Sequence, residues 1–84
     1  MREVKARVLV SLKKTVLDPQ GQTVRSALTG LGYRSVSEVR QGKFFEIALA
    51  PGTTHEQANK EIDTMARDVL TNPVIEEYTI EISD

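Results

Sequence analysis

The sequence contains no cysteine, which excludes disulfide bonds, thiolate catalysis and cysteine-based metal sites. The sequence also lacks an excess of positive or negative charge, because 11 basic and 12 acidic residues leave a formal net charge of −1. Neither nucleic acid nor a membrane surface is therefore expected as a partner. Apolar runs fall well short of the roughly 20 residues that cross a bilayer. The N-terminus shows alternating charges in place of a signal peptide, so the sequence predicts a soluble cytoplasmic protein.

Residues suited to catalysis are scarce. The single histidine, His55, stands beside a predicted helix start, and a solvated loop residue is its simplest interpretation. No further ligands stand near it at metal-binding spacing. Glu76, Glu77 and Glu81 lie on or near the last predicted strand, where nothing pairs two of them in a pocket. Since phosphate-binding glycine motifs are also missing, we expect no catalytic residue, no metal site and no cofactor bound by this chain.

What the chain does contain is a periodic pattern of apolar residues. Its length fits one domain, residues 1–84, with one core. Alternating apolar residues predict strands at 3–12, 34–40, 43–49 and 74–82. Helical spacing predicts one helix at 19–31 and another between the capping signals at Thr53 and Thr54 and the break at Asn72-Pro73. Val36 and Val39 are three apart, so the strand at 34–40 needs a bulge or an edge position.

The element order β-α-β-β-α-β predicts an α+β fold of the ferredoxin-like type. This is a sandwich with a four-stranded antiparallel sheet and two helices on one face. Gln41-Gly42, between the two middle strands, predicts a tight hairpin. The residues expected on the buried faces of the two helices and the last strand are Val24, Ala27, Leu28 and Leu31, then Ala58, Ile62, Met65, Ala66 and Val69, and finally Val74, Tyr78, Ile80 and Ile82.

The turn after the first strand has the features of a helix start. Asp18 is a good N-cap, and Pro19 suits the first helical position because its missing N–H costs nothing there. Gly21 weakens a helix unless something passes close to its backbone. Two interpretations stay open, a simple capped helix start and a contact site for another chain or ligand.

Three apolar residues have the wrong parity for the helix-covered side of the sheet. They are Leu9, Phe44 and Ile75. A contiguous apolar group on the open face of so small a domain more often marks an interface than an accident of composition. We therefore expect self-association through these residues.

A set of short motifs runs in order through essentially the whole chain. The motifs are Leu12-Lys13, Val16-Leu17-Asp18-Pro19-Gln20-Gly21, Val24, Leu28-x-x-Leu31-Gly32, Val39-Arg40-x-Gly42-Lys43 and Leu70-x-Asn72-Pro73-Val74-Ile75-Glu76-x-Tyr78. At these spacings the set closely resembles the PurS family, the small subunit of phosphoribosylformylglycinamidine (FGAM) synthase.

The resemblance implies a role in purine biosynthesis within an ATP-dependent ligase. That enzyme converts formylglycinamide ribonucleotide, glutamine and ATP into FGAM, glutamate, ADP and phosphate. A glutaminase subunit releases ammonia, and a large synthetase subunit uses it with ATP and Mg. The family member is implied to be non-catalytic, a homodimer or dimer-based tetramer that brings the two larger subunits together and assists ammonia transfer.

Loops with a defined backbone shape often carry recognition on a rigid scaffold. On this basis two loops are expected to dock the larger subunits: the one after the first strand, from Lys13 to Gly21, and the one from Arg40 to Lys43. The turn at Asn72-Pro73 is expected to take part as well, although helix termination already accounts for much of it. The docking set is Lys13, Asp18, Pro19, Gln20, Gly21, Arg40, Gly42, Lys43, Asn72 and Pro73. The alternative is an ACT-like dimeric regulatory module, which shares the fold and binds small molecules at helix–loop junctions near glycines.

Overall fold

The computed structural model describes residues 3–83. They form the elements β1 (Lys5–Leu12), α1 (Pro19–Gly30), β2 (Gly42–Ala48), α2 (His55–Met65) and β3 (Glu76–Ser83). The strands make an antiparallel sheet in the order β2-β1-β3. In the central strand, Val8 pairs with Phe45 on one side and Ile80 on the other. The α+β class predicted from the sequence is confirmed.

The core lies between this sheet and α2. Every second residue of β1 points toward it, as the alternation predicts, and α2 contacts β1 and β3 across that face. Tyr78, Ile80 and Ile82 of β3 pack against the same core, which confirms their predicted side. The buried apolar residues are Val4, Ala6, Val8, Val10, Leu49, Ala58, Ile62 and Ala66.

Helix α2 begins with a complete capping box. The hydroxyl of Thr54 accepts the Gln57 backbone N–H at 3.1 Å, and the Gln57 side-chain oxygen accepts the Thr54 backbone N–H at 3.1 Å. Both exchanges satisfy N–H groups that a helix start leaves without partners. Of the two capping frames that the sequence allows, the one beginning at Thr54 is therefore correct.

The end of α2 is wider than a regular helix. Ala66–Leu70 is a π-helical segment, closed by the hydroxyl of Thr71, which donates to the Ala66 carbonyl at 2.7 Å. A π turn takes more residues than an α turn, so side chains after it shift around the axis. Val69, expected on the buried stripe, is instead 77% exposed, so this prediction was wrong.

The turn before β3 contains Val74, a residue that the sequence analysis expected in the core. The backbone N–H groups of Ile75 and Glu76 both donate to the Asn72 carbonyl, at 3.1 and 2.8 Å. Val74 lies inside this turn, before the strand begins, and its side chain is exposed. The prediction that Val74 belongs to the buried face of the last strand was therefore wrong.

The fourth expected strand is not formed. Within the described residues, 34–40 carries no strand, so the sheet has three strands and Gln41-Gly42 makes no hairpin. The spacing of Val36 and Val39 gives this segment no single apolar face, and Arg40 and Gln41 instead bind the loop that follows β1. The prediction of a four-stranded sheet was wrong for the single chain.

The two helices do not share the covered face. Helix α1 makes no extensive contact with the sheet, and Gly21 is its buried residue. Val24 is 40% exposed and Leu31 76% exposed. Gly32, with φ 101°, follows the end of α1, as a left-handed terminator should.

The chain thus has two parts. We call residues 19–41, which comprise α1 and the segment returning from it, the arm. The three strands with α2 form the body. With extents of 50 × 28 × 14 Å, the molecule is long and thin.

Candidate functional site

Asp18 joins the two loops that were expected to dock partners. Its side chain is 5% exposed, and its two oxygens serve different loops. Oδ1 accepts the Gly21 N–H at 3.0 Å, which caps α1 as the sequence predicts. Oδ2 accepts the Gln41 N–H at 2.6 Å. One carboxylate therefore fixes both ends of the arm to the same point.

The charge state of Asp18 follows from these contacts. The Gln41 N–H and then the Gly21 N–H are the main causes that hold the pKa of the Asp18 carboxyl below its ordinary value, and the nearby charge of Arg40 adds to them. Burial acts in the opposite direction, because it disfavours the charged form. The donated hydrogen bonds prevail, so Asp18 is an ionised structural group at neutral pH.

Arg40 fastens the same loops from the other side. Its Nη2 donates to the carbonyl of Lys13 at 3.1 Å and to that of Val16 at 2.9 Å. Its Nη1 lies 3.7 Å from Oε1 of the exposed Glu38. Carbonyl acceptors of this kind suit the fixed fork of a guanidinium group. Arg40 is therefore occupied in holding the loop after β1.

Gly21 has an explanation within the chain itself. A Cβ at this position would collide with the Val39 carbonyl oxygen and would lie 2.6 Å from Asp18 Oδ2 and 3.0 Å from the Cα of Arg40. The close approach that the sequence left unassigned is thus made by the arm's own returning segment. The packing of α1 against this segment accounts for Gly21, and a partner is not needed to explain it.

Pro19 and Gly42 also have structural roles. Pro19 occupies the first turn of α1, as predicted. Gly42 begins β2, where an added Cβ would collide with the Val10 carbonyl oxygen. These structural roles account for both residues without a partner, and their predicted part in docking stays a prediction.

The turn at Asn72-Pro73 is likewise stabilised from within. The Asn72 side-chain oxygen accepts the Val74 N–H at 3.1 Å, while the Asn72 N–H donates to Glu76 Oε1 at 2.7 Å. Glu76 occupies a position that alternation assigns to the apolar face, and this bond explains why a carboxylate stands there. The structural interpretation of Asn72 and Pro73 therefore accounts for their geometry.

Between the two loops lies a pocket of about 270 Å³, which we call the loop pocket. It brings together Gln20 from the first loop and Lys43 from the second, as the docking hypothesis requires. Lys43 Nζ lies 3.9 Å from Glu76 Oε2 and 5.7 Å from the centre of the Phe45 ring. The polar side chains around the pocket are Ser11, Asp18, Gln20, Gln41, Lys43 and Glu76.

Sequence reasoning did not place three of these residues at the site. Ser11 and Gln41 belong to no chemical motif. Ser11 reaches the pocket through the pairing of β1 with β2, and Gln41 through the bond from its backbone N–H to Asp18. Glu76 did carry a signal, since it interrupts an apolar alternation. Lys13 was expected here but does not line the pocket, and its backbone N–H donates to the Ile75 carbonyl at 2.8 Å.

The open face of the sheet presents a small apolar pair. Leu9 and Phe44 are direct neighbours across β1 and β2, at 39% and 58% exposure. The Arg7 guanidinium lies 5.1 Å from the centre of the Phe44 ring and bonds Glu46 at 3.1 Å, so charged groups flank the pair. Ile75 precedes β3 and lies further along the sheet than Leu9, beyond the pair.

Among residues 3–83, no three acidic, histidine or cysteine side chains come together as a possible metal site. No helix there is both long and apolar enough to cross a membrane. His55 is the first residue of α2.

Comparison with known proteins decides the family. The family model of PurS, described as phosphoribosylformylglycinamidine (FGAM) synthase, matches residues 5–84. The chain belongs to the PurS family. Curated relatives include FGAM synthase subunit PurS of Methanocaldococcus jannaschii, which is 40% identical and matches over 93% of both chains. The PurS subunit of Synechocystis is 46% identical over 92% of this chain and 76% of its own length.

Solved PurS structures have the same fold. That of the M. jannaschii protein, described as one subunit of formylglycinamide ribonucleotide amidotransferase in the purine biosynthetic pathway, has a TM-score of 0.85 at 37% identity, over 96% of both chains. A chain in the Thermotoga maritima PurLQS structure has a TM-score of 0.87 at 26% identity, over 99% of this chain and 100% of that one. The protein is accordingly a PurS subunit of FGAM synthase in purine biosynthesis, and the ACT-like alternative is not favoured.

Proposed function

We propose that this chain is the non-catalytic docking subunit of FGAM synthase, which holds the large synthetase subunit and the glutaminase subunit together. The observation that supports this most directly is the double anchoring of the two loops by Asp18, whose oxygens bind Gly21 and Gln41. Loops fixed in this way lose little conformational entropy when a partner binds. The body supplies the scaffold, and the loop pocket supplies the contact.

The docking set narrows to the side chains that the fold leaves accessible. Gln20 is exposed in the first turn of α1, and Lys43 keeps about half of its side chain exposed. Lys43 Nζ lies 3.9 Å from Glu76 Oε2, at the outer limit of an ion pair, so the lysine can also bind a partner's carboxylate. We assign partner recognition to Gln20 and Lys43, with Lys13 in the adjoining loop.

The chemistry of the complex resides in the larger subunits under this proposal. The synthetase subunit uses ATP and Mg, the glutaminase subunit releases ammonia from glutamine, and this chain assists ammonia transfer by fixing the two relative to each other. The assembly works in the cytoplasm. Copies of this chain associate as a homodimer or a dimer-based tetramer, and the Leu9–Phe44 pair, with Ile75 beyond it, is the proposed self-association surface.

The test is reconstitution from three purified components. Glutamine-dependent FGAM formation and co-purification of synthetase with glutaminase are measured with and without this chain. We expect both to require it, whereas FGAM formation by the synthetase from free ammonia persists without it. Glutamine-dependent activity that is unchanged when the chain is omitted would contradict the proposal.

Two variants locate the docking contact, each with a matched control. Gln20→Ala and Lys43→Ala should weaken co-purification and leave unfolding of the isolated chain unchanged, because neither side chain is buried. Gln22→Ala removes an exposed amide one half-turn along α1, and Lys60→Ala removes an exposed lysine from α2. Equal losses in variants and controls would place docking elsewhere.

A further inference from the structure

The balanced net charge of the chain conceals a separation of charge between its two halves. Residues 13–43 contain six basic and two acidic residues, which gives a formal charge of +4. Residues 44–84 contain two basic and nine acidic residues, which gives a formal charge of −7. The first of these segments forms the arm with its two flanking loops, whereas the second forms most of β2, with α2 and β3. Charge of one sign collected on one part of a surface attracts partners of the opposite sign.

The basic residues of the first segment come together around the two loops. Arg40 donates to the Lys13 carbonyl at 3.1 Å, which brings its guanidinium group to the loop after β1. Arg25 and Arg40 line a pocket of about 310 Å³ between α1 and the returning segment, which we call the arm pocket. Lys43 lines the adjoining loop pocket, and Asp18 lines both pockets. We call this cationic group the basic end, and its members are Lys13, Lys14, Arg25, Arg40 and Lys43.

Three cations of the basic end are not neutralised by the chain's own carboxylates. Lys14 and Arg25 are exposed, and neither they nor Lys13 form an ion pair within residues 3–83. In the arm pocket, the Gln22 amide and the Ser37 hydroxyl lie on the same lining as Arg25. Amide, hydroxyl and guanidinium donors gathered on one surface suit a carboxylate, which accepts about four hydrogen bonds.

The two acidic residues of the same segment leave this role open. Asp18 is buried, and its oxygens already accept the Gly21 and Gln41 N–H groups. The Glu38 side chain is 70% exposed, and its Oε1 lies 3.7 Å from Arg40 Nη1, which is longer than a hydrogen bond. An exposed contact of this length contributes little stability. Glu38 can therefore give way to a carboxylate that fits the arm pocket better.

Resting on the docking function proposed above, we infer that the basic end binds an acidic surface of the larger subunit that contacts the loop pocket. One carboxylate of that surface enters the arm pocket in place of Glu38. A single surface can cover both pockets, because they share Asp18. Charge complementarity favours this occupant, since the chain leaves Lys13, Lys14 and Arg25 without an ion pair within residues 3–83. The charge of −7 on residues 44–84 opposes a nucleic acid, whose backbone is uniformly negative.

The first test titrates this chain into the purified synthetase and glutaminase and measures its half-saturating concentration for glutamine-dependent FGAM formation. Arg25→Glu and Lys14→Glu should each raise that concentration about tenfold, because attraction to the partner becomes repulsion. Lys60→Glu makes the same change of charge at an exposed position of α2 and should behave as wild type. Urea unfolding of the isolated variants should be unchanged, since all three side chains are exposed.

The second test asks for a gain of binding and for its dependence on salt. Glu38→Gln removes the carboxylate that competes for Arg40, so it should lower the half-saturating concentration by up to about fivefold. Glu61→Gln removes an exposed carboxylate from α2 and serves as the control. The ratio of Arg25→Glu to wild type should fall toward one as salt rises from about 0.1 M to about 1 M, because the screening length shortens from about 10 Å to about 3 Å.

Failure of this inference differs from failure of the docking function. If Lys43→Ala weakens assembly while Arg25→Glu and Lys14→Glu do not, docking is confined to the loop pocket and the basic end has no part in it. FGAM formation that does not depend on this chain would overturn both proposals.

Other outcomes would also contradict an acidic partner surface at the basic end. They are an equal loss from Lys60→Glu, a loss from Arg25→Glu that is undiminished at high salt, and no gain from Glu38→Gln. Inorganic phosphate tests the small-anion alternative. A melting temperature that phosphate raises in the wild type and not in Arg25→Glu would make the arm pocket a site for a free anion, with no place for a partner's carboxylate.

Discussion

The helices of the body and of the arm have apolar residues at the same helical spacing but have different surroundings. In α2 and the first residue of the π-helical segment, the stripe of Ala58, Ile62 and Ala66 is fully buried. In α1 the stripe that includes Val24 and Leu31 follows the same spacing and stays exposed. A periodic pattern thus predicts a helix and its apolar side, whereas the surface that covers this side is set by how the helix is anchored.

The largest expected difference between the parts comes from truncating one apolar side chain in each. Ile62→Ala should lower the free energy of unfolding by about 2–5 kcal/mol, because it opens a cavity under α2. Leu31→Ala should change it by less than about 0.5 kcal/mol, because the side chain is exposed. Urea unfolding, followed by circular dichroism at a concentration that keeps chains single, measures both. Equal losses would mean that the arm is packed within one chain.

A second comparison uses two glycines of the same helix. Gly21→Ala should destabilise the chain by about 1–3 kcal/mol, because the added methyl group meets the Val39 carbonyl and the Asp18 carboxylate. Gly30→Ala should stabilise α1 by about 0.5–1 kcal/mol, since nothing lies within 4 Å of its Cβ position. The melting temperatures of both variants, compared with that of the wild type, test these two expectations. If Gly21→Ala were neutral, the contact between α1 and the returning segment would be looser than the structure has it.

The smallest expected effect is the pH dependence of the arm's anchor. Because folding lowers the pKa of Asp18, its ionised form favours the folded state. This contribution is present above the ordinary value of 3.8 and is lost as pH falls through the lower folded pKa. Wild type should therefore be more stable than Asp18→Asn at neutral pH, and the difference should shrink below pH 3.8. Urea midpoints at a series of pH values test this, and a constant difference would contradict the role given to the charge.

Local signals in the sequence were enough for most of the elements. Alternation gave β1, the apolar stripe and Thr54 gave α2, and Asp18 with Pro19 gave the start of α1. These features depend on residues a few positions apart, which periodicity and capping rules describe. The exposure of Val69 was not predicted, because a single π turn changes the side of the helix on which later residues lie.

Contacts between distant segments were harder to predict. Nothing in the sequence shows that Gln41 would bind Asp18, or that Arg40 would bind the Lys13 carbonyl. Such bonds use backbone groups, which every residue has, so they leave no period and no motif. The same contacts replace the expected fourth strand at 34–40. They also explain Gly21, whose unusual position was visible but whose neighbour was not.

The order of the strands has a consequence for how the chain folds during synthesis. The first strand to leave the ribosome, β1, is the central one, and both of its neighbours come later along the chain. Pairings between residues so far apart in sequence form slowly. Nascent chains therefore carry Val8 and Val10 without a partner until β2 has been made, and the sheet closes only when β3 follows. Until then, the segment that later becomes the best-protected part of the molecule is its most aggregation-prone part.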